Sequence, residues 1–163
     1  MIPLAVLLFL PKQKHPTMKG NITFTMIKPT AVERGHAGHI LAKIVNAGFQ
    51  ITALKLTRLT AGQAQKFYEV HKEKPFYEAL VGFMSSGPIV VAILRRENAV
   101  EEYRHLIGST DPAKAEEGSI RKQFGTSLQA NAVHGSDSDD NAQIEADFFF
   151  SKLERFNFQE NTP

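Results

Sequence analysis

The sequence predicts an α+β fold, namely a ferredoxin-like antiparallel sheet of four strands with helices packed on one of its faces. Three observations support this fold class. The predicted elements follow one another as strand, helix, strand, strand, helix and strand, with two extra helices before the third strand. Residues 89–94, IVVAIL, form a continuous apolar run that is typical of a central strand buried on both faces. Ile40, Leu41, Ile44 and Val45 form one apolar helical stripe.

The first half of the chain supplies two strands and three helices. The first strand alternates apolar and polar side chains, and a proline ends it. The helix after the second strand has threonine at its N-cap. The predicted elements are a strand at 21–28 before Pro29, a loop and helix within 35–48 with Gly48 as its C-cap, a strand at 49–59, a helix at 61–70 capped by Thr60, and a short helix after Pro75 that ends at Met84.

The second half begins with a turn before the apolar strand and ends in a tail. A long segment of low apolar periodicity lies between its two helices, and such segments in compact domains are usually functional when they are ordered. The predicted elements are a turn at 85–88, a strand at 89–94, a helix at 98–106, an ordered loop at 108–125 with a helical turn at 119–124, a strand at 127–133, and a helix to about 150 capped by Asp137 or Ser136.

Length and composition bound the class of protein. The chain has 163 residues, which favours one domain, and its net charge of +2 is too small to indicate nucleic-acid binding by itself. It has no cysteine, which excludes disulfides and thiolate-metal sites. The apolar run 2–10 is too short to span a bilayer, and no basic residue precedes it as in a signal peptide. We expect a cytoplasmic protein with no membrane partner and no specific nucleic-acid partner.

The two ends of the chain are predicted to lie outside the folded domain. Residues 1–17 fail the criteria for a signal peptide and are interpreted as a disordered extension upstream of a start at Met18. Residues 18–156 contain all the predicted strands and form the domain. Residues 157–163 are interpreted as a C-terminal tail.

His134 is the histidine that the pattern marks most clearly for chemistry. It ends the predicted strand and precedes a helix N-terminus, where backbone N–H groups and the helix dipole favour an anion. A neutral imidazole there can act as a nucleophile toward phosphorus. Glu145 and the Ser136 hydroxyl are the candidates for orienting the ring. The pattern therefore indicates phosphoryl transfer, although a lone histidine is more often structural.

Phosphoryl transfer also needs cations on the non-bridging oxygens. Lys28, Arg104 and Arg121 stand at a strand end, on a helix and in the long loop. The alternative for Lys28 is a solvated surface residue, as is usual for lysines at strand ends. The aromatics between Tyr68 and Phe76 also have two interpretations, either a small core of a helical hairpin or a mobile flap that stacks a base on Phe76.

Several other site classes are absent from the sequence. It has no phosphate-binding loop of the G-x-x-x-x-G-K-[ST] type and no G-x-S-x-G nucleophile elbow. The acidic cluster Asp137, Asp139 and Asp140 lacks the glycine and terminal glutamate of an EF-hand loop, and its simplest role is favourable charge at a helix N-terminus.

Residues 131–138, N-A-V-H-G-S-D-S, match in full the N-x-x-H-G-S-D-S signature of the nucleoside diphosphate kinase family. The chain resembles this family over about residues 20–156. Further family landmarks occur in order: Thr25-Met26-Ile27-Lys28-Pro29, Tyr68, His71, Lys74-Pro75-Phe76, Ser86-Gly87-Pro88, Arg104, Gly108-Ser109-Thr110-Asp111-Pro112, Gly118-Ser119-Ile120-Arg121 and Glu145.

The resemblance implies an enzyme that makes nucleoside triphosphates from diphosphates, usually with ATP as donor and Mg²⁺ as cofactor. It implies a ping-pong route in which His134 becomes a phosphohistidine while Ser136 and Glu145 set the ring. It also implies a homo-oligomer, either a tetramer or a hexamer, without metal ligands from protein side chains. The residues expected at the nucleotide's phosphates and sugar are Lys28, Tyr68, Arg104, Thr110, Arg121 and Asn131, and Phe76 is expected to stack on the base.

The chain departs from the family pattern at Thr30, where aspartate is usual, and at Lys122 and Gln123, where glycine and an acidic or amide residue are common. Two other classes of function fit the sequence less well. An RNA-binding module of similar fold should carry an aromatic-rich motif on a central strand, whereas residues 89–94 are aliphatic. An idle scaffold is disfavoured by the intact His134 and its predicted cations.

Overall fold

The computed structural model describes residues 20–158, so the predicted extension 1–17 and most of the predicted tail 157–163 lie outside the described residues. A four-stranded sheet forms the centre of the fold, with strand order β2-β3-β1-β4. Every neighbouring pair is antiparallel, which confirms the predicted ferredoxin-like sheet. The strands are β1 (Ile22–Ile27), β2 (Gln50–Thr57), β3 (Ile89–Arg95) and β4 (Val133–Gly135).

Seven α-helices connect or flank these strands in the described part of the chain. Side chains in the sequence cap the N-termini of three of these helices. Thr60 forms a complete capping box with Gln63, and the side chains of Ser119 and Ser138 accept hydrogen bonds from backbone N–H groups of the first turn. The helices are α1 (Pro29–Glu33), α2 (Ala37–Asn46), α3 (Ala61–Phe67), α4 (Tyr77–Met84), α5 (Ala99–Ile107), α6 (Ile120–Phe124) and α7 (Asp139–Phe149), with single 3-10 turns at Glu69–His71 and Lys152–Glu154.

Helices cover both faces of the sheet, so the prediction of helices on one face was wrong. On the first face, Phe24 and Met26 of β1 pack in one hydrophobic core with residues of α3, α4 and α7. On the second face, Ile27 packs in another core with residues of α2, α5 and α6. The apolar run of β3 already requires this arrangement, because its side chains alternate between the two cores. For the same reason Thr23 and Thr25, on the polar side of the predicted alternation, are fully buried.

The strand that carries His134 begins later than predicted. Residues 127–132 are not extended, and β4 occupies Val133–Gly135 instead of 127–133. Ala132 has a positive φ of 72°, and the backbone N–H of Val133 bonds to the carbonyl of Asn131 at 2.9 Å. This tight turn costs on the order of 1–3 kcal/mol, and the strand begins only after it, at Val133.

Two helix boundaries also differ from the prediction. The short helix α1 directly after β1 was not predicted; Pro29 begins it because proline suits the first helical position. Ser138, rather than Asp137 or Ser136, is the N-cap of α7. Within residues 20–158, every helix falls short of the length and apolar character that a membrane crossing requires.

Candidate active site

The sheet and two helices place His134 at the edge of the first core. Its partner in the antiparallel pairing of β4 with β1 is Met26, so its side chain points to the same face as Met26. The imidazole lies beside the rings of Phe24 and Phe67, with centroids 6.1 and 5.6 Å away. About 23% of the His134 side chain remains exposed. The ring is therefore held on two sides by aromatic groups and is open to a ligand.

Helix α7 supplies the group that fixes the orientation of this ring. Nε2 of His134 is 2.8 Å from Oε2 of Glu145, and the buried Ser136 hydroxyl donates to the same oxygen at 2.7 Å. Because a carboxylate oxygen only accepts, Nε2 carries the hydrogen and Nδ1 holds the free lone pair. Nδ1 makes no hydrogen bond with any side chain or backbone group of residues 20–158. The geometry thus presents one defined nitrogen for chemistry.

Replacing Ser136 with alanine should lower the free energy of unfolding by about 1–3 kcal/mol, since buried polar groups lose their partner. The Ser136 hydroxyl is fully buried and also accepts from the Phe24 backbone N–H at 3.2 Å. Denaturant unfolding of the two proteins measures the change. Ser86→Ala is the matched control, because this hydroxyl is exposed and bonds only to Phe83 of its own turn. Equal losses in both variants would contradict the role assigned to burial.

Arg121 brings a cation to the backbone next to His134. Its guanidinium donates to the carbonyls of Val133 and Gly108, at 3.1 and 3.0 Å. Gly108 has a φ of 80°, and a Cβ on it would lie 2.5 Å from the Ser119 hydroxyl, so glycine is required for this close approach. Nε of Arg121 is buried without a hydrogen-bond partner in the described structure. Burial is the main cause that lowers the pKa of Arg121, and the nearby Arg104 lowers it further.

Lys28 is buried beside Arg121, contrary to its interpretation as a solvated residue at a strand end. Only 8% of it is exposed, and its amino group donates to the carbonyl of Gln129 at 3.3 Å. Burial first, and then the charge of Arg121, lower the pKa of Lys28 to about 7. Neither Lys28 nor Arg121 forms an ion pair with a carboxylate within residues 20–158. Buried cations are normally paired, so this pair indicates a place for an anion.

Two further buried polar groups near these cations lack partners. Asn131 donates its amide hydrogen to the carbonyl of Thr110 at 3.0 Å, while its Oδ1 is buried without a hydrogen bond. The hydroxyl of Tyr68 is likewise buried and unpartnered among the described residues. Burial, and secondarily the charge of Glu145, raise the pKa of Tyr68, so this hydroxyl stays protonated. An acceptor and a donor therefore remain available to a polar ligand.

Phe76 is connected to this centre through a row of aromatic rings. It is half exposed at the N-cap of α4 and lies 5.7 Å from the ring of His71. His71 stacks on Tyr68 at 6.4 Å, and Tyr68 packs edge-on against Phe67 at 4.9 Å. Tyr68 therefore lies in the first core, as the first interpretation predicts, whereas the ring of Phe76 stays half exposed.

Arg104 and Thr110 are exposed residues at the outer part of the site. Arg104 lies on α5 and lines a cavity of about 510 Å³ together with Asp137 and Asp139; His134 does not line this cavity. Arg104 is still close enough to Arg121 to affect its pKa. Thr110 is joined to the centre through the bond from its carbonyl to Asn131.

Sequence reasoning missed two parts of this site. Phe67, which packs against the imidazole, stands at the end of α3, just before the segment 68–76 that the sequence singled out. The carbonyl of Gln129, which holds Lys28, was assigned to a strand. Phe67 belongs to no recognised motif, but its position directly before Tyr68 could have indicated that it lies near the site. A backbone carbonyl leaves no trace in the sequence.

Protein groups suited to a metal cage are absent from the described part of the chain. No group of three His, Cys, Asp or Glu side chains is placed there to hold a metal ion.

Comparison with known proteins connects this geometry to one family. Residues 21–155 match the family model described as nucleoside diphosphate kinase. The chain is 60% identical over 139 residues to the nucleoside diphosphate kinase of Flavobacterium psychrophilum, which covers 85% of the chain and 100% of that protein. It is 54% identical over 132 residues to that of Chlorobium limicola, covering 81% and 94%.

Two solved structures have the same fold. The nucleoside diphosphate kinase of Aquifex aeolicus superposes with a TM-score of 0.82 at 47% identity, covering 83% of the chain and 99% of that protein. The nucleoside diphosphate kinase of Halobacterium salinarum, solved in complex with CDP, superposes with a TM-score of 0.83 at 33% identity, covering 87% and 95%.

Proposed function

Because the chain belongs to the nucleoside diphosphate kinase family, we propose that its His134 accepts the γ-phosphoryl group of a nucleoside triphosphate and passes it to a nucleoside diphosphate. The family catalyses this transfer by a ping-pong route through a phosphohistidine. The proposal for this chain therefore concerns the residues that carry each part of the reaction.

The first half-reaction is proposed to take place at Nδ1 of His134. Its lone pair attacks the γ-phosphorus, an Nδ1–P bond forms, and the bond from phosphorus to the β,γ-bridging oxygen breaks. The diphosphate leaves with the electron pair of that bond. Glu145 accepts from Nε2–H throughout and stabilises the cationic phosphoimidazole ring. A second diphosphate then attacks the same phosphorus, and the reverse bond changes regenerate the neutral imidazole.

The observation that carries the proposal is the pair of buried cations without carboxylate partners beside His134. Lys28 and Arg121 are suited to the non-bridging phosphoryl oxygens, where negative charge must be neutralised during transfer. The unpartnered Arg121 Nε and Tyr68 hydroxyl are donors of the kind that phosphate oxygens accept. The unpartnered Oδ1 of Asn131 needs a donor, which a sugar hydroxyl supplies.

Arg104 and Thr110 complete the proposed phosphate contacts from the exposed side, and Phe76 is proposed to stack on the base. The half-exposed Phe76 ring supports this role. Stacking reads no base edge, so it is compatible with several bases. The Halobacterium salinarum relative was solved in complex with CDP, which supports nucleotide binding by this chain.

A divalent metal generally accompanies nucleotide kinases, and we propose Mg²⁺ for this chain. The donor set fits this ion, because the described residues offer no protein cage and Mg²⁺ prefers substrate phosphates and water. Bound to the nucleotide, Mg²⁺ supplies charge neutralisation on the phosphate oxygens. Lys28 and Arg121 act on the oxygens that face the protein.

Incubation of the chain with γ-labelled ATP tests the proposal directly. We expect label to remain on the protein after removal of nucleotide, to be stable to base and labile to acid, and to pass to GDP when GDP is added. Transfer that needs ATP and GDP at the same time, with no labelled protein, would contradict the route through His134.

Binding of ADP at pH 8 is expected to take up a large fraction of a proton. Lys28, with a pKa of about 7, is mostly neutral at this pH, and an adjacent phosphate favours its charged form. Calorimetry in buffers of different ionisation enthalpy measures the uptake. Lys28→Met should abolish the uptake, whereas the exposed Lys152→Met should retain it. Uptake that persists in Lys28→Met would assign the proton to another group.

We further infer that residues 18–156 form the kinase domain, which the match over residues 21–155 supports. A homo-oligomer of four or six chains in the cytoplasm belongs to the same proposal. Leu54 and Leu56 on the edge strand β2 support assembly, because they are 49% and 67% exposed and edge strands offer unpaired backbone groups. Light scattering on the purified full chain gives the number of subunits.

A further inference from the structure

Two buried hydroxyl groups connect α5 to the backbone of His134. The Thr25 hydroxyl donates to the carbonyl oxygen of His134 at 3.0 Å and also bonds to the hydroxyl of Tyr103. Thr25 has one hydroxyl hydrogen, and a carbonyl can only accept, so the Tyr103 hydroxyl must donate to Thr25. Hydrogen bonds therefore run in one direction, from Tyr103 to Thr25 to the carbonyl of His134.

Both residues are placed rigidly. Thr25 is 1% exposed and Tyr103 is 0% exposed, and the ring of Tyr103 packs edge-on against Phe49 at 5.6 Å. Burial raises the pKa of Tyr103, which keeps its hydroxyl a donor. A Cβ added to Gly135 would lie 3.0 Å from the Tyr103 ring, so the strand rests directly on that ring. Packing against Tyr103 thus fixes the distance between α5 and the backbone of His134 and Gly135.

We propose that Thr25 and Tyr103 are positioning residues for phosphoryl transfer, which hold the backbone of His134 from the face of the sheet opposite its imidazole. Tyr103 belongs to the second core, whereas the imidazole contacts Phe24 of the first core. Ser136 and Glu145 fix the ring from the first face, and the two hydroxyls fix the strand from the second.

The short strand β4 needs an additional restraint on the position of His134. β4 has only three residues and follows directly on the strained turn at Ala132, so its own ladder is short. In-line transfer depends on the distance between Nδ1 and phosphorus, and a misplacement of about 1 Å can cost on the order of 100-fold in rate. An additional bond to the carbonyl of His134 restrains this position. The inference rests on the proposed role of His134.

Single-turnover phosphorylation by γ-labelled ATP tests the inference in four variants. At saturating ATP, Thr25→Val should slow labelling about tenfold and Tyr103→Phe about threefold. Both losses are smaller than the rate loss of about 100-fold expected when Nδ1 is misplaced by about 1 Å. Dissociation constants for ADP should stay within about twofold of wild type, because neither residue is proposed to contact nucleotide. Thr25→Ser, which retains the hydroxyl, should restore labelling to within about twofold of wild type.

Thr52→Val is the matched control. Thr52 is also a buried strand threonine whose hydroxyl bonds to a strand carbonyl, that of Ile93 at 3.3 Å, but it lies on β2, and two strands separate β2 from β4. It should label at the wild-type rate.

Equal rates in wild type, Thr25→Val and Tyr103→Phe would overturn the inference, as would a Thr25→Ser variant as slow as Thr25→Val. If Thr25→Val does not fold, Tyr103→Phe against wild type decides. A His134→Ala variant that still labels would instead overturn the proposed function.

Discussion

Replacing His134 with alanine is expected to abolish labelling by γ-labelled ATP and to lower turnover by at least about 10⁴-fold, the scale on which enzymes lose activity when a covalent nucleophile is removed. The physical reason is specific to the site. Lys28 and Arg121 remain in place, so nucleotide should still bind, but no lone pair is then presented to the phosphorus. Rapid quench and steady-state transfer from ATP to GDP measure the two quantities.

The fold should survive this change. The imidazole is partly exposed and its bond to Glu145 can be replaced by water, while the Ser136 hydroxyl still satisfies the same carboxylate oxygen. His39→Ala is the matched control, since His39 is exposed on α2 and lacks a side-chain contact to the site. It should label and turn over like wild type. If His134→Ala retains label at the wild-type level, another residue is the phosphoryl acceptor.

The core of this site was predictable because its residues are neighbours in sequence or carry a motif. His134 lies on β4, Ser136 comes directly after the end of that strand, and Glu145 lies on the helix that follows. A short strand and the next helix leave few ways to arrange three such residues. The four-stranded sheet was predictable for a similar reason, since the apolar run of β3 identifies a central strand regardless of its partners.

Burial and backbone geometry were not predictable in the same way. Lys28 stands at a strand end, where most lysines are solvated, but it is buried and its amino group bonds to the carbonyl of Gln129, which is distant in sequence. The positive φ of Ala132 has no signal in a sequence that places alanine there. The alternating pattern of β1 placed Thr25 on the polar, solvent-facing side of the strand. Helices cover this second face of the sheet, so the hydroxyl of Thr25 is buried and donates to the carbonyl of His134.

These same long-range contacts explain why the site is suited to an anion. Each cation alone would be an ordinary charged residue with access to water. The folded loop desolvates both and places them together, which is unfavourable in the absence of negative charge. In the proposed function, a bound phosphate supplies the negative charge that offsets this cost.

Replacing Arg121 with alanine is expected to slow transfer at saturating nucleotide by about 30- to 1,000-fold, equivalent to about 2–4 kcal/mol of transition-state stabilisation. The guanidinium is next to the His134 backbone through Val133 and has one buried donor unused. Removing it should also raise the pKa of Lys28, because the charge of Arg121 is the second cause of its lowering. Proton uptake on ADP binding at pH 8 should therefore fall in this variant.

Arg121→Ala removes both a positive charge and two hydrogen bonds to backbone carbonyls, so its effect on rate mixes two causes. The variant Arg121→Lys separates them. Lysine keeps the charge but lacks the planar fork that reaches Gly108 and Val133 together, so this variant should lose stability and recover only part of the rate. Lys122→Ala is the control on the same helix; its partner Glu117 lies 3.6 Å away at the surface, and its rate should change by less than about twofold. Wild-type turnover in a folded Arg121→Ala protein would remove this residue from the phosphate site, leaving Lys28 as the buried cation that faces the transferred group.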